Sequence, residues 1–128
     1  VGDGESNEGA IWEALLFAAH WKLNNLIIFF DCNGYQAMGT TDEVMNLKSM
    51  TAKLNAFNFE TIELNGHSEP ELDSALKILT TSSSNAPKAV IANTIKGKGV
   101  SFMEAQNHWH YTRLNKETYD TAIKELGF

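Results

Sequence analysis

Some stretches of the chain place apolar residues every three or four positions, as in a helix, and others are short continuous apolar runs, as in a buried strand. These two kinds of stretch alternate along the chain and predict alternating helices and strands. The first helical stretch runs from about Ser6 to Trp21, with apolar positions at Ile11, Trp12, Leu15, Leu16, Ala18 and Ala19. Residues 26–30 follow it as a continuously apolar run. Such a run is typical of a central strand in a parallel sheet, because both of its faces are covered.

The rest of the chain continues this alternation and predicts an α/β fold. A second helix with apolar positions from Val44 to Leu54 is expected to end near Asn55, and a third begins at Glu69. Predicted strands occupy residues 58–64 and 89–92, and a last helix runs from about Lys116 to Leu126. Strands that alternate with helices predict a parallel sheet with flanking helices.

Ligands of such sheets bind at the carboxyl ends of the strands. Three predicted loops leave that edge: residues 2–5 (if Val1 ends a strand), residues 31–35 and residues 96–110. All three loops contain side chains that can bind a ligand or take part in catalysis, so we expect the three loops to form one site.

Composition restricts the class of protein. The length of 128 residues suits one domain, and the net charge of −6 without basic clusters argues against nucleic acid or an anionic membrane as partner. A single cysteine, Cys32, allows no internal disulfide and suits the reducing cytoplasm. No apolar run approaches the ~20 residues that span a bilayer. We therefore expect a soluble cytoplasmic domain.

The candidate chemistry begins with oxygen ligands near the chain start. Asp3 offers a carboxylate and Asn33 an amide oxygen, which are donors that Mg²⁺ accepts together with phosphate oxygens. Gly4 would let the backbone approach a diphosphate, and the following helix would direct free N–H groups at it. A lone Gly-Asp-Gly is more often an ordinary turn. Its spacing to an Asp-x-Asn after an apolar strand favours a metal–diphosphate site instead.

This spacing resembles the signature of thiamine-diphosphate enzymes. Four longer strings are similar to the transketolase N-terminal, diphosphate-binding domain, particularly the separate N-terminal subunit of split transketolases: GDGESNEGAIWEA, DCNGYQAMGTTDEV, KLNAFNFETIELNGH and NTIKGKGVSFMEAQNHWH. The resemblance is collinear from Val1 to about Leu114. It implies part of a thiamine-diphosphate (PP-type) fold, with thiamine diphosphate and Mg²⁺ as cofactors.

The resemblance also implies a role for each matching residue. The side chains of Asp3 and Asn33 and the main-chain carbonyl of Tyr35 would bind Mg²⁺. The residues that would contact the cofactor are Gly2, Asp3, Gly4, Glu5, Asn33, Lys96 and His110.

Two catalytic groups are implied, His110 and Glu13. His110 matches a histidine near the reacting centre, where an imidazole can move protons near pH 7. Glu8 and Glu13 match carboxylates at a subunit interface, where the cofactor is activated across two chains. A solvated helix face is the alternative for this pair, and a solvent-facing loop lysine is the alternative for Lys96.

Some features depart from the family pattern. Tyr111 and Thr112 stand where relatives commonly have Gly and Lys, and Ser68 follows Gly-His in place of Asp. These differences leave open whether the substrate is a sugar phosphate or another sugar. The upstream half of the domain and the pyrimidine-binding domain are missing from these residues. We therefore expect 1–128 to be a single, incomplete domain that works with partner chains in a hetero-oligomer with a dimeric core.

The implied reaction is transfer of a two-carbon ketol unit between sugar-type substrates. Two other interpretations remain open. One is the α subunit of a 2-oxoacid dehydrogenase, which has a similar Gly-Asp-Gly segment. The other is a non-catalytic structural or regulatory subunit of such a complex.

Overall fold

A computed structural model describes all residues from Val1 to Phe128 and contains a three-stranded parallel sheet between helices. The elements in chain order are α1 (Gly9–His20), β1 (Ile27–Cys32), β2 (Tyr35–Gln36), β3 (Gly39–Thr40), α2 (Thr41–Val44), α3 (Met50–Ala56), β4 (Glu60–Asn65), α4 (Glu69–Thr81), β5 (Lys88–Asn93) and α5 (Lys116–Glu125). Two 3-10 turns lie at Glu5–Asn7 and Asn107–His110. The predicted α/β class is therefore confirmed.

The central strand of the sheet is β5, because the strand order is β1-β5-β4. Residues 88–92 of β5 are all buried, and the strand pairs in parallel with both neighbours. The apolar run at 26–30 has pairing partners on both edges, because β1 pairs with β5 on one side and with the chain start at Val1 and Gly2 on the other. The prediction that both of its faces are covered is wrong, because Phe30 is buried but Phe29 on the opposite face is 39% exposed. Phe29 and Phe30 are equally apolar, so the run alone does not distinguish the two faces.

Helices on the two faces of the sheet bury separate cores. On one face α1 and α3 pack against the sheet through a cluster of eight buried residues: Leu15, Ala18, Phe30, Met50, Leu54, Phe59, Ala89 and Ile91. On the other face α4 packs against β4 and β5 through Leu64, Ala75, Leu79, Val90 and Ala92. The sheet is thereby fixed as the middle layer, and its carboxyl-end loops project beyond both cores.

The first helix begins later than predicted. Residues 5–7 form a 3-10 turn, Glu8 is extended, and α1 starts only at Gly9. Ser6 is buried and does not cap the helix, because its hydroxyl donates to the carbonyl of Gly2 at 2.8 Å. Its N–H donates to the same carbonyl at 2.9 Å. The turn after Gly2 is thus closed by Ser6 before the helix starts.

The predicted second helix is two helices with an extended break. Thr40 caps α2 in a reciprocal pair with Glu43, and Ser49 caps α3 by accepting the N–H of Ala52. Apolar residues keep helical spacing across the break, so periodicity alone joins the two pieces. The capping side chains at Thr40 and Ser49 are the sequence signals that separate them.

The last helix occupies the predicted place and is fastened to the loop after β5. The carboxylate of Glu125 in α5 accepts the N–H of Ser101 at 2.5 Å and its hydroxyl at 2.7 Å. No helix in the structure is long and apolar enough to cross a membrane.

Candidate functional site

The first residues of the chain lie at the carboxyl end of the sheet, as the site prediction requires. Gly2 forms a parallel bridge with Asp31 at the end of β1. The N–H of Asp31 donates to the carbonyl of Val1 at 2.8 Å, in the pattern of a further parallel strand. The turn at residues 2–5 and the loop at residues 31–35 therefore leave the sheet at the same edge.

The side chain of Asp3 joins these two loops directly. Its Oδ2 accepts the backbone N–H groups of Asn33 at 2.8 Å and Gly34 at 2.9 Å. The side chain of Asn33 in turn accepts the N–H of Tyr35 at 3.0 Å through Oδ1. The structure thus brings together the three residues predicted to bind a metal.

The Asp3 carboxylate lies in an unfavourable environment for a lone anion. Burial raises the pKa of Asp3, and the charge of Asp31 raises it further, whereas the N–H groups of Asn33 and Gly34 oppose this change. None of the four ion pairs in the structure includes Asp3. A half-buried carboxylate without a cationic partner is a natural ligand for a cation.

Free backbone donors lie beside Asp3. The N–H groups of Gly4 and Glu5 have no acceptor within the chain, whereas the N–H of Gly2 donates to Oε2 of Glu5 at 3.2 Å. The helix α1 begins four residues after Glu5, so the donors nearest Asp3 belong to the turn and to the 3-10 segment that follows it.

Gly2 and Gly4 are not required by backbone conformation. Neither has a positive φ, and Gly4 adopts φ −69° and ψ −39°, which any residue can adopt. A Cβ at Gly2 would have no neighbour within 4 Å, and one at Gly4 would meet only Gln36 at 3.6 Å or more. The space beside these glycines is therefore open to a ligand.

Lys96 and His110 also lie together, on the loop that follows β5. Nζ of Lys96 is 3.2 Å from Nδ1 of His110. The loop closes on itself, because the N–H of Ala105 donates to the carbonyl of Lys96 at 3.0 Å. Gly97 has φ +72°, and a Cβ there would lie 2.6 Å from the carbonyl oxygen of Met103. This closed loop keeps the lysine and the histidine in contact.

The loop carrying His110 is joined to the loop carrying Asn33. The hydroxyl of Tyr35 donates to the carbonyl of Ala105 at 2.7 Å. The side-chain amide of Asn107 lies against the β2–β3 hairpin, where it can donate to the carbonyl of Gln36 at 2.7 Å and accept the N–H of Gly39 at 3.2 Å. These contacts join the loop that carries Asn33 and Tyr35 to the loop that carries the Lys96–His110 pair.

Sequence reasoning missed Gln36 and Asn107. Gln36 is only 7% exposed, and its Oε1 accepts the side-chain N–H of Asn7 at 3.0 Å. It therefore stabilises the 3-10 turn after Gly4 through this hydrogen bond to Asn7. Both residues act through contacts between segments about 29 or 70 residues apart. A local sequence pattern cannot predict contacts between residues so far apart in the chain.

A cavity of about 380 Å³ opens beside the site and is lined by Asp3, Cys32, Gln36 and Glu63, among others. Burial, followed by the charges of Asp3, Asp31 and Glu63, raises the pKa of the Cys32 thiol to about 11. The thiol is therefore protonated at neutral pH and is a poor nucleophile or metal ligand.

Glu8 and Glu13 lie apart from these contacts. Glu8 precedes α1 without a side-chain cap, and Glu13 is exposed on α1. The backbone N–H of Glu8 donates to the carbonyl of Glu5 at 3.0 Å, but neither carboxylate forms a hydrogen bond or ion pair with a predicted site residue. The exposed surface of α1 and of Trp21, which directly follows it, includes large apolar side chains, namely Leu16, Phe17 and Trp21, which are 54–61% exposed.

The donors at the site restrict the metal it could hold. No group of three or more His, Cys, Asp or Glu side chains is arranged to hold a metal ion. Asp3 and Asn33 supply hard oxygen donors, and only one of them is charged. Such a set suits Mg²⁺ that is shared with phosphate oxygens, and does not suit Zn²⁺ held by protein ligands alone.

Comparison with known proteins gives the family. The family described as "Transketolase, thiamine diphosphate binding domain" matches residues 1–128. The chain is 37% identical over 127 residues to one subunit of the apulose-4-phosphate transketolase of Phocaeicola vulgatus, covering 99% of this chain and 45% of that protein. It is 39% identical over 126 residues to a 6-deoxy-6-sulfo-D-fructose transketolase subunit of a Clostridium species. That match covers 98% of this chain and 46% of that protein.

Solved structures agree. The chain superposes on transketolase from Campylobacter jejuni with a TM-score of 0.90 at 31% identity, over 99% of this chain and 20% of that one. It thus spans slightly less than half of the curated subunits it matches and a fifth of the solved transketolase. The sequence resemblance is confirmed, and the chain belongs to the family of transketolase thiamine-diphosphate-binding domains.

Proposed function

We propose that this chain anchors the diphosphate of thiamine diphosphate through Mg²⁺ in a transketolase-like enzyme. The enzyme transfers a two-carbon ketol unit between sugar-type substrates. The observation that carries the proposal is the half-buried Asp3 carboxylate, which is held by the loop at Asn33 and lacks a cationic partner. Two of the similar transketolase subunits are named for sugar substrates, which favours this substrate class.

The metal would be held by oxygen atoms of three residues. Oδ2 of Asp3 accepts two backbone N–H groups, so Oδ1 is the oxygen left for Mg²⁺. Oδ1 of Asn33 accepts only one N–H, so its second lone pair and the main-chain carbonyl of Tyr35 would complete the protein ligands. Phosphate oxygens and water would fill the remaining positions that octahedral Mg²⁺ requires.

The diphosphate would lie along the turn at Gly4 and Glu5. Two N–H groups there have no acceptor within the chain, and the two neighbouring glycines leave room for a ligand against the backbone. Because the net charge of the chain is −6, binding of an anion depends on such local donors and on Mg²⁺. Lys96 would add a positive charge from the opposite loop.

His110 would move protons at the substrate. If the charged Lys96 donates to Nδ1, then the neutral ring of His110 carries its proton on Nε2. That nitrogen could donate a hydrogen bond to a substrate oxygen and take part in proton transfer there. When bound, thiamine diphosphate supplies the electron sink that C–C bond cleavage beside a carbonyl requires.

Other chains would complete the active site. We propose that 1–128 is a single, incomplete domain, and that partner chains supply the upstream half and the pyrimidine-binding domain. The exposed Leu16 and Phe17 of α1, with Trp21 directly after it, support burial of this helix against another chain. Glu13 lies on the same helix, so a catalytic role for Glu13 would be exerted across that interface. The assembly would be a hetero-oligomer with a dimeric core.

An assay of the assembled complex tests the activity. The chain, co-expressed with its partner subunits, should transfer a two-carbon unit from a ketose to an aldose when Mg²⁺ and thiamine diphosphate are present. A complex that decarboxylates 2-oxoacids, and leaves ketoses unchanged, would favour the dehydrogenase interpretation. An assembled complex that binds the cofactor but is inactive with both substrate classes would favour a structural or regulatory subunit.

A further inference from the structure

The turn between β4 and α4 is docked tightly against the end of β5. The N–H of Gly66 donates to the carbonyl of Asn93 at 2.8 Å. A Cβ at Gly66 would lie 2.5 Å from Cγ2 of Thr94 and 3.0 Å from Cβ of Ala92. Only glycine can pack this closely against β5. The close packing places the next residue, His67, beside the start of the loop after β5.

His67 binds that loop through its ring. Its Nε2 accepts the backbone N–H of Ile95 at 2.7 Å. The backbone of His67 is itself fixed, because its N–H donates to the side-chain oxygen of Asn65 at 3.0 Å. The hydrogen bond at Ile95 immediately precedes Lys96, which contacts His110 at 3.2 Å.

We propose that His67 is a positioning residue for the cofactor site, which it serves by holding the backbone at Ile95 and thereby the Lys96–His110 pair. This inference rests on the proposed function, because it assigns the purpose of the pair to that site. His67 does not touch the ligands itself. It acts from the β4–α4 turn, which contains none of the predicted site residues.

The hydrogen bond fixes the chemical state of the ring. Nε2 can accept the N–H of Ile95 only when it carries no proton, so the neutral ring has its proton on Nδ1. A glutamine at position 67 can present an oxygen acceptor in a similar place. A leucine of similar bulk cannot accept a hydrogen bond. The two substitutions therefore separate the hydrogen bond from the packing.

The test uses the assembled complex with His67→Leu and His67→Gln. We expect His67→Leu to raise the hydrogen-exchange rate of the Ile95 amide about tenfold, and to weaken thiamine-diphosphate binding by about five- to tenfold, because one hydrogen bond is lost. The maximal rate at saturating cofactor should change less than the cofactor KM does. His67→Gln should restore both the exchange rate and the affinity to within about threefold of wild type.

Three results would overturn the role of His67. The first is that His67→Leu binds thiamine diphosphate as tightly as wild type, and the second is that both variants weaken this binding equally. The third is an NMR spectrum of the wild-type complex that places the proton of the His67 ring on Nε2. The last measurement remains decisive if His67→Leu does not fold. A wild-type complex that binds no thiamine diphosphate would instead refute the proposed function, and the Ile95 exchange rates would still decide whether His67 holds the loop.

Discussion

Oδ2 of Asp3 accepts the backbone N–H of Asn33 at 2.8 Å, so one hydrogen bond joins two loops that are separated by 30 residues in the chain. Both residues were predicted as metal ligands, and this contact fixes their positions relative to one another. In the proposed function, such preorganisation would lower the entropy cost of assembling a metal site. It also makes the site testable with substitutions that leave the fold unchanged.

Gly4→Ala should separate cofactor binding from folding. The backbone of Gly4 suits alanine, and the added Cβ would make only ordinary contact with Gln36 at 3.6 Å. We expect the free energy of unfolding to stay within about 1 kcal/mol of wild type, and thiamine-diphosphate affinity to fall at least about tenfold. Calorimetric titration and urea unfolding measure the two quantities.

The control for that substitution is Gly9→Ala. Gly9 begins α1, and a Cβ there would have no neighbour within 4 Å. It should leave cofactor affinity unchanged. Equal affinity in Gly4→Ala and wild type would mean that the diphosphate does not lie along the turn.

Tyr35→Phe should weaken the contact between the loop at residues 31–35 and the loop after β5 without weakening Mg²⁺ binding. The substitution removes the hydroxyl that donates to Ala105 at 2.7 Å but keeps the main-chain carbonyl that we assign to Mg²⁺. We expect a loss of about 1 kcal/mol in the free energy of unfolding, and Mg²⁺ affinity within about threefold of wild type. If Tyr35→Phe weakened Mg²⁺ binding as much as Asn33→Ala, the contact between the hydroxyl and Ala105 would be as important for the metal as a proposed ligand, which contradicts the prediction.

Much of the site could be predicted because parallel strands direct their carboxyl ends to one edge. That rule was enough to predict that Asp3 and Asn33 would lie near one another, and it brought the loop with Lys96 and His110 to the same edge. Strand order was not predictable in the same way. Hydrophobic runs at β1 and β5 look alike in sequence, and nothing in them shows that β5 lies between β1 and β4.

The remaining errors have local physical causes. The start of α1 was placed too early because Ser6, a residue that often caps helices, closes the turn at Gly2 instead. The break between α2 and α3 was hidden by apolar residues that kept helical spacing across it. Gln36 could not be recognised, since its role depends on a contact with Asn7 across 29 residues.

Cys32 should react slowly with alkylating reagents in the folded chain. Burial and three nearby carboxylates raise the pKa of its thiol to about 11 from a usual value of 9.0. The reactive thiolate is therefore about 100-fold scarcer than in the unfolded chain at pH 8. Iodoacetamide labelling followed by mass spectrometry should show this ratio between buffer and denaturing urea. Similar rates in the two conditions would contradict the raised pKa.

Glu63 should stabilise the fold in a pH-dependent way. The hydroxyl of Thr51 at 2.5 Å, and then the amide of Asn93 at 3.1 Å, hold the pKa of Glu63 below its usual value of 4.5. For a depressed carboxylate pKa, the stabilisation is present above the unfolded value and is lost as pH falls through the folded value. Glu63→Gln should thus be less stable than wild type at pH 7.

The same comparison at low pH provides the control. Below the folded pKa of Glu63 both side chains are neutral, so the difference in unfolding free energy between wild type and Glu63→Gln should shrink. Urea unfolding at pH 7 and pH 3 measures it. A difference that is the same at both pH values would show that the carboxylate charge contributes nothing.

The most direct test of the central claim is calorimetric titration of the assembled complex with thiamine diphosphate, with and without Mg²⁺. We predict binding that requires Mg²⁺ in the wild type. Asp3→Asn keeps an oxygen that can accept the N–H groups of Asn33 and Gly34 but removes the charge. Asp3→Asn and Asp3→Ala should both lower the affinity at least about 100-fold. Equal affinity in wild type and both variants, or binding that is independent of Mg²⁺, would contradict the account.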